Sequence, residues 1–183
     1  TGANGTLDIE AIALHEIGHF FGLSHSSIDG AVMYPFLDND VTQARIPKPD
    51  DLGYASLFYP QEPAFSATYG IITGTITNGF DNVRVLGAHV FAFDSSTGTK
   101  VAGAYSSIDG SYRIPVPAGS YLVGIEPLDG DPPALNPARI NEVIAGTFDT
   151  YFTEEFFDAN ESSVEADPLA AAVVTVSAGV QTT

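Results

Sequence analysis

The sequence predicts an α+β segment over residues 1–60, a linker over 61–68 and an all-β sandwich over 69–183. Three observations carry this reading. Leu7, Ile9, Ile12, Ala13, Ile17, Phe20 and Phe21 recur at helical spacing. Tyr59-Pro60-Gln61-Glu62-Pro63 contains two prolines, which end a helix and stiffen the linker. From about residue 69 onward, short β-branched and aromatic runs alternate with Gly, Asn, Asp and Pro.

The first helix has Asp8 and Glu10 near its start, where acidic side chains suit the positive end of the helix dipole. Gly22 is its natural stop, because glycine accepts the left-handed conformation that ends helices. Ile46-Pro47-Lys48-Pro49-Asp50-Asp51 is irregular, and Asp50 reads as the N-cap of a helix carrying Leu52, Ala55, Leu57 and Phe58. Strands are predicted near 70–77, 86–94, 100–106, 111–116 and 120–126, with further runs near 150–157 and 171–177. Turn signals separate the first five at Asn78-Gly79, Ser96-Thr97-Gly98, Asp109-Gly110 and Pro117-Ala118-Gly119. Short, regularly spaced strands without a helical period fit an antiparallel sandwich.

Composition bounds the partners. The 183 residues are 44% hydrophobic and include 12 Phe and 8 Tyr, so a packed core is expected. Six basic residues against 23 acidic ones leave a net charge of −17, which argues against nucleic acid and against a polybasic membrane-surface role. Eleven carboxylates and one arginine fall between Glu126 and Asp167, a span that reads as a solvated acidic face. The absence of cysteine excludes disulfides, thiol catalysis and cysteine-based zinc fingers. No apolar run approaches the roughly 18 residues needed to span a bilayer. The chain opens with Thr1 instead of Met, which suggests a processed form or a fragment.

The chemistry is concentrated in His15-Glu16-Ile17-Gly18-His19-Phe20-Phe21-Gly22-Leu23-Ser24-His25. Residues four apart share a helix face, so His15 and His19 can present imidazoles to one metal ion. Glu16 is rotated about a quarter turn from His15, which offers its carboxylate to a water at the metal and not to the metal itself. Gly22 lets the chain turn sharply after the helix, so His25 can return as a third ligand. Three neutral nitrogen ligands leave a fourth position open, as catalytic zinc requires. His89 lies in an alternating strand and reads as a satisfied core or surface histidine. No Ser/His/Asp arrangement competes with the histidine motif.

This run resembles the metzincin zinc peptidases, whose signature is H-E-x-x-H-x-x-G-x-x-H followed by a methionine turn. Here Ala31-Val32-Met33-Tyr34-Pro35 comes after His25 and supplies that turn. Ser26, the spacing to Met33 and the Met-Tyr-Pro run are similar to the matrixin branch, as are Asp50-Asp51-Leu52-Gly53 and Leu57-Phe58-Tyr59. The resemblance covers residues 6–60. It implies a zinc-dependent endopeptidase acting on peptide or protein substrates, with His15, His19 and His25 as ligands and Glu16 as general base. Met33 would floor the metal, and Phe36 and Leu37 would lie near the pocket for the side chain after the scissile bond. Some metzincins place a tyrosine ligand where Pro35 stands, so no fifth ligand is implied. The family also implies secretion and a sheet ahead of the zinc helix, with calcium sites in that part of the full-length protein. Only about eight residues precede the helix here, so this segment corresponds to the C-terminal half of a catalytic domain. Asp38-Asn39-Asp40 reads as a polar turn, with calcium contact as its alternative.

Four runs of the second part resemble a carboxypeptidase regulatory-like domain, a transthyretin-like sandwich of about seven strands. They are Gly74-Thr75-Ile76-Thr77, Gly87-Ala88-His89-Val90-Phe91-Ala92-Phe93, Asp109-Gly110-Ser111-Tyr112-Arg113-Ile114 and Pro117-Ala118-Gly119-Ser120-Tyr121-Leu122-Val123. That resemblance covers roughly 69–126 and implies an accessory module with no assigned ligand. Two functions therefore stand side by side: a secreted zinc endopeptidase, or an extracellular binding or spacer module attached to a metzincin remnant. Intact Glu16 and histidines favour the first.

Overall fold

The computed structural model describes residues 5–37, 43–128, 148–158 and 170–183. Helix α1 spans Ile9–Phe20, and Asp8 is its N-cap, accepting a hydrogen bond from the Ala11 N–H at 3.0 Å. That bond satisfies one of the donors a helix start leaves without a partner. The Arg45 guanidinium holds the same carboxylate, with Nε 2.9 Å from Oδ1. Gly22 takes φ +85° just past the helix, as the sequence predicts.

Helix α2 spans Pro49–Phe58, and its cap differs from expectation. Lys48 is the N-cap and Pro49 the first helical residue, so Asp50 lies inside the first turn. Proline's fixed φ suits that first position, and the Lys48 N–H is taken by Asp51, whose Oδ2 lies 2.8 Å away. Asp50 is thereby released for other work. In the span read as a linker, Ala64–Thr68 forms a short helix, α3, over which the Ser66 hydroxyl donates to Glu62 at 2.6 Å.

Eight strands come next among the described residues: β1 Tyr69–Thr75, β2 His89–Asp94, β3 Lys100–Tyr105, β4 Ser111–Pro117, β5 Gly119–Glu126, β6 Glu155–Phe156, β7 Val173–Val176 and β8 Gln181–Thr182. The first five match the predicted strands within a few residues. One sheet has the order β4-β1-β8, and the other β3-β2-β5-β6 with β7 also on β5. The two-residue β8 runs parallel to β1, a departure from the all-antiparallel expectation. Turn chemistry is as read: the Asp94 carboxylate accepts from the Ser96 and Thr97 N–H groups, and Gly98 and Gly110 take positive φ. Between the sheets, Ile72, Val90, Ala92, Ala102, Ile114, Val116, Tyr121, Val123 and Val176 form one core.

Helix α2 lies against β3 and β4, the outer strands of the two sheets on that side. Such strands expose unpaired backbone groups. Asp50 and Tyr54, one helical turn apart, meet them: Asp50 Oδ1 accepts from the Gly103 N–H at 3.0 Å, and the Tyr54 hydroxyl lies 2.8 Å from the Gly103 carbonyl. That hydroxyl is also 2.9 Å from the Arg113 carbonyl of β4. Close approach requires small residues here. A β-carbon at Gly53 would stand 2.7 Å from the Pro115 carbonyl oxygen, and one at Gly103 would stand 2.7 Å from His89 Nε2.

Gly103→Ala should therefore destabilise the protein by about 1–3 kcal/mol, since the new methyl meets an imidazole that is held in place. Chemical denaturation checks this, and a variant as stable as the parent would show that the seam has slack.

Candidate metal centre

The helix period places His15 and His19 on one face of α1, and the turn through Gly22 returns His25 to them. Nitrogens of the three rings lie within 4.8 Å of one another. Their ring centroids are 4.7, 5.2 and 4.9 Å apart, a nearly equilateral arrangement. His15 Nδ1 lies 2.7 Å from the Val32 carbonyl and His19 Nδ1 lies 2.8 Å from the Leu23 carbonyl. A carbonyl only accepts, so each Nδ1 carries the proton and each Nε2 keeps its lone pair. Such backbone bonds also fix the ring planes, the usual support for histidine ligands.

This donor set fits zinc. A tetrahedral ion with bonds of about 2.0–2.1 Å separates its nitrogens by roughly 3.3–3.4 Å. His19 Nε2 and His25 Nε2 are 3.3 Å apart. Among the described residues this is the one histidine and carboxylate group gathered closely enough to hold an ion.

Met33 sits beneath the helix, almost wholly buried. A β-carbon at Gly18 would overlap its sulfur, so the glycine within the histidine motif is what admits the methionine. Asp51 fixes this turn, accepting from the Val32 and Met33 N–H groups at 2.9 and 3.0 Å. Glu16 is exposed and borders a cavity of about 470 Å³ together with His15. Phe36 and Leu37 line the same cavity, so the structure brings all four together. Asp38-Asn39-Asp40 lies outside the described residues.

Sequence reasoning misses several contributors. Asp51 stands out in the sequence only within a family-like run, and Gly18 only as a motif position. Ser27, His89 and Glu126 form a chain that the sequence does not announce: Ser27 Oγ meets His89 Nε2, and His89 Nδ1 is 2.6 Å from Glu126 Oε1. Glu126 is thus enclosed, and Lys100 Nζ also bonds it at 3.0 Å, whereas the sequence predicts a solvated acidic span. Much of the remaining span lies outside the described residues. No local pattern signals a contact between residues 27 and 89.

Residues 2–59 match the profile of the matrixin family. Metalloendoproteinase 4-MMP of Arabidopsis thaliana is 38% identical over 79 residues, which cover 43% of this chain and 23% of that protein. Matrix metalloproteinase-2 of Drosophila melanogaster is 41% identical over 51 residues, 28% of this chain and 7% of that protein. Karilysin of Tannerella forsythia is 44% identical over 45 residues, 20% of this chain and 10% of that protein. The chain spans less than a quarter of the length of each of these relatives. No solved structure matches it. The first third of the chain is accordingly similar to the matrixins, a family of zinc metalloendopeptidases.

Asp50 supplies a pH test. Burial, with Asp51 adding to it, pushes its pKa from the ordinary 3.8 up to about 7, against the opposing hydrogen bonds from Ser26 and the Gly103 N–H. The folded state then holds a proton that the unfolded state has lost, so this contribution to stability is complete below the unfolded pKa and declines as pH rises toward the folded one. Asp50→Asn keeps an Oδ1 acceptor and never ionises. Its stability should resemble the parent's near about pH 3.5 and exceed it near about pH 8. A difference between the two that stays flat over this range would overturn the assignment.

Proposed function

We propose that this chain is part of a secreted zinc endopeptidase, and that His15, His19 and His25 hold the metal through Nε2. The observation that carries the reading is the convergence of three imidazoles, two of them with Nδ1 engaged by backbone carbonyls, beside Glu16 and a cavity. Zinc bound there would supply a Lewis acid that polarises a peptide carbonyl and acidifies water. Glu16, displaced around the helix from His15, has its carboxylate free for protons. Its oxygens would take a proton from the attacking water and return it to the amine nitrogen that leaves. The cavity bounded by Phe36 and Leu37 would receive the side chain after the scissile bond. Met33 would support the metal from below without binding it.

The β-rich part suits a transthyretin-like accessory sandwich, and calcium would belong to other parts of the full-length protein. Helix α1 buries only Ala11 and Gly18, while Ile9, Ile17 and Phe20 are 75%, 49% and 85% exposed. Apolar side chains left open to this degree suit a face that a further layer covers in the full-length enzyme. An extended substrate also needs a sheet edge to pair with, which that layer would provide. Residues 1–183 alone should then be a poor peptidase even when they bind zinc.

Full-length protein assayed against an unstructured protein should show cleavage that Glu16→Ala lowers by about 10²–10⁴-fold while zinc content stays near one per chain. Residues 1–183 should cleave far more slowly. Equal, Glu16-dependent activity in the shorter chain would remove the need for a further layer. Zinc bound by the full-length protein without any cleavage would favour the spacer module on a metzincin remnant, and no zinc would reject the ligand assignment.

A further inference from the structure

We propose that His89 of the β-rich part is a positioning residue for the metal centre, holding the loop that carries His25 through the hydroxyl of Ser27. This inference rests on the reading of His25 as a ligand. It adds that the second part of the chain is a structural member of the centre and more than an appended module.

His25 leads directly into Ser26-Ser27-Ile28, and all three of these residues are buried. Ser26 closes the loop on the methionine turn, its N–H donating to the Met33 carbonyl at 2.8 Å. Ser27 faces the other way, toward His89 Nε2. His89 is the first residue of β2, is 0% exposed and stands opposite Glu126 in the β2–β5 register. A carboxylate only accepts, so Nδ1–H of His89 donates to Glu126, leaving Nε2 to accept from the Ser27 hydroxyl. Burial pushes the His89 pKa down, which is consistent with a neutral ring in that tautomer. Lys100 fixes Glu126 in turn, with Nζ 3.0 and 3.1 Å from its two oxygens. The imidazole is therefore held at Nδ1 by strand residues and presents Nε2 as one fixed acceptor to the loop.

Packing alone does not hold that loop. His25, Ser27, Asp50 and Tyr105 border a cavity of about 460 Å³ between the two parts. Side chains next to open space have room to rearrange, so directional bonds set the geometry there. The Ser27 bond lies two residues from His25, close enough for its loss to move the ring.

Cobalt(II) provides the test, because its visible absorption reports ligand geometry and a competing chelator reports affinity. With residues 1–183, Ser27→Ala should weaken cobalt binding about 10–100-fold, the usual effect of removing a support behind a metal ligand, and alter the absorption bands. Ser27→Thr, which keeps the hydroxyl, should restore both. Ser24→Ala, on the exposed side of His25, should change neither. His89→Gln offers a second route to the same loss should Ser27→Ala fail to fold, and metal-free melting curves separate loss of fold from loss of affinity. A folded Ser27→Ala with parental affinity and spectrum would overturn the positioning role while leaving the three-histidine site intact. A parent chain that binds no cobalt would reject that site, and the positioning role with it.

Discussion

Two neighbouring carboxylates in the first turn of α2 determine how this molecule is put together. Asp50 and Asp51 are consecutive, so the helix points them about 100° apart. Asp51 takes the N–H groups of Val32, Met33 and Lys48, thereby tying the methionine turn to the helix. Asp50 takes the N–H of Gly103 on β3. One helix turn thus connects the floor of the histidine site to the edge of a sheet. Placing two such groups in a buried seam is costly unless each is hydrogen-bonded, and here backbone donors meet both.

Gly103 is the counterpart of this turn. Its N–H and its carbonyl both face α2, and Asp50 and Tyr54 present one acceptor and one donor at helical spacing. The same Tyr54 O–H also lies within reach of the Arg113 carbonyl on β4, so its one proton is shared between the edges of both sheets. Bonds of this kind contribute only about 1 kcal/mol each, but they have direction, which apolar contact lacks. That direction sets the orientation of the methionine turn and the His25 loop relative to the strands.

How much of the molecule is legible in its sequence depends on the range over which each feature is encoded. The histidine motif is legible because its parts lie within one helix and one turn, where spacing is geometry. Strands β1 to β5 are legible from alternation and from turn residues whose side chains cap their own backbone, as Asp94 and Asp109 do. The N-cap of α2 is misplaced by two residues because Asp50 and Asp51 are equally good cap residues in isolation. Only Gly103 and the methionine turn, distant in sequence, decide their roles. For the same reason His89 reads in the sequence only as a satisfied core or surface histidine. Its partners Ser27 and Glu126 stand 62 and 37 positions away, and no local spacing relates them.

The distribution of buried residues gives these connections a direction. The large apolar core lies wholly within the β-rich part, from Ile72 to Val176. In the first part, α1 buries two small residues, and the apolar burial around the methionine turn is confined, among the described residues, to Ile28, Ala31, Val32 and Met33. Tyr34 extends this contact by packing on Leu128, beside Tyr105 and Phe148. A helix with so little buried surface gains little from its own packing, since helices in water depend on tertiary contact for most of their stability. The β-rich part has its own core, and the histidine site takes its rigidity from that core through α2 and the Ser27–His89 link. A disturbance at the edge of the β-rich part should therefore reach the histidine site along these links.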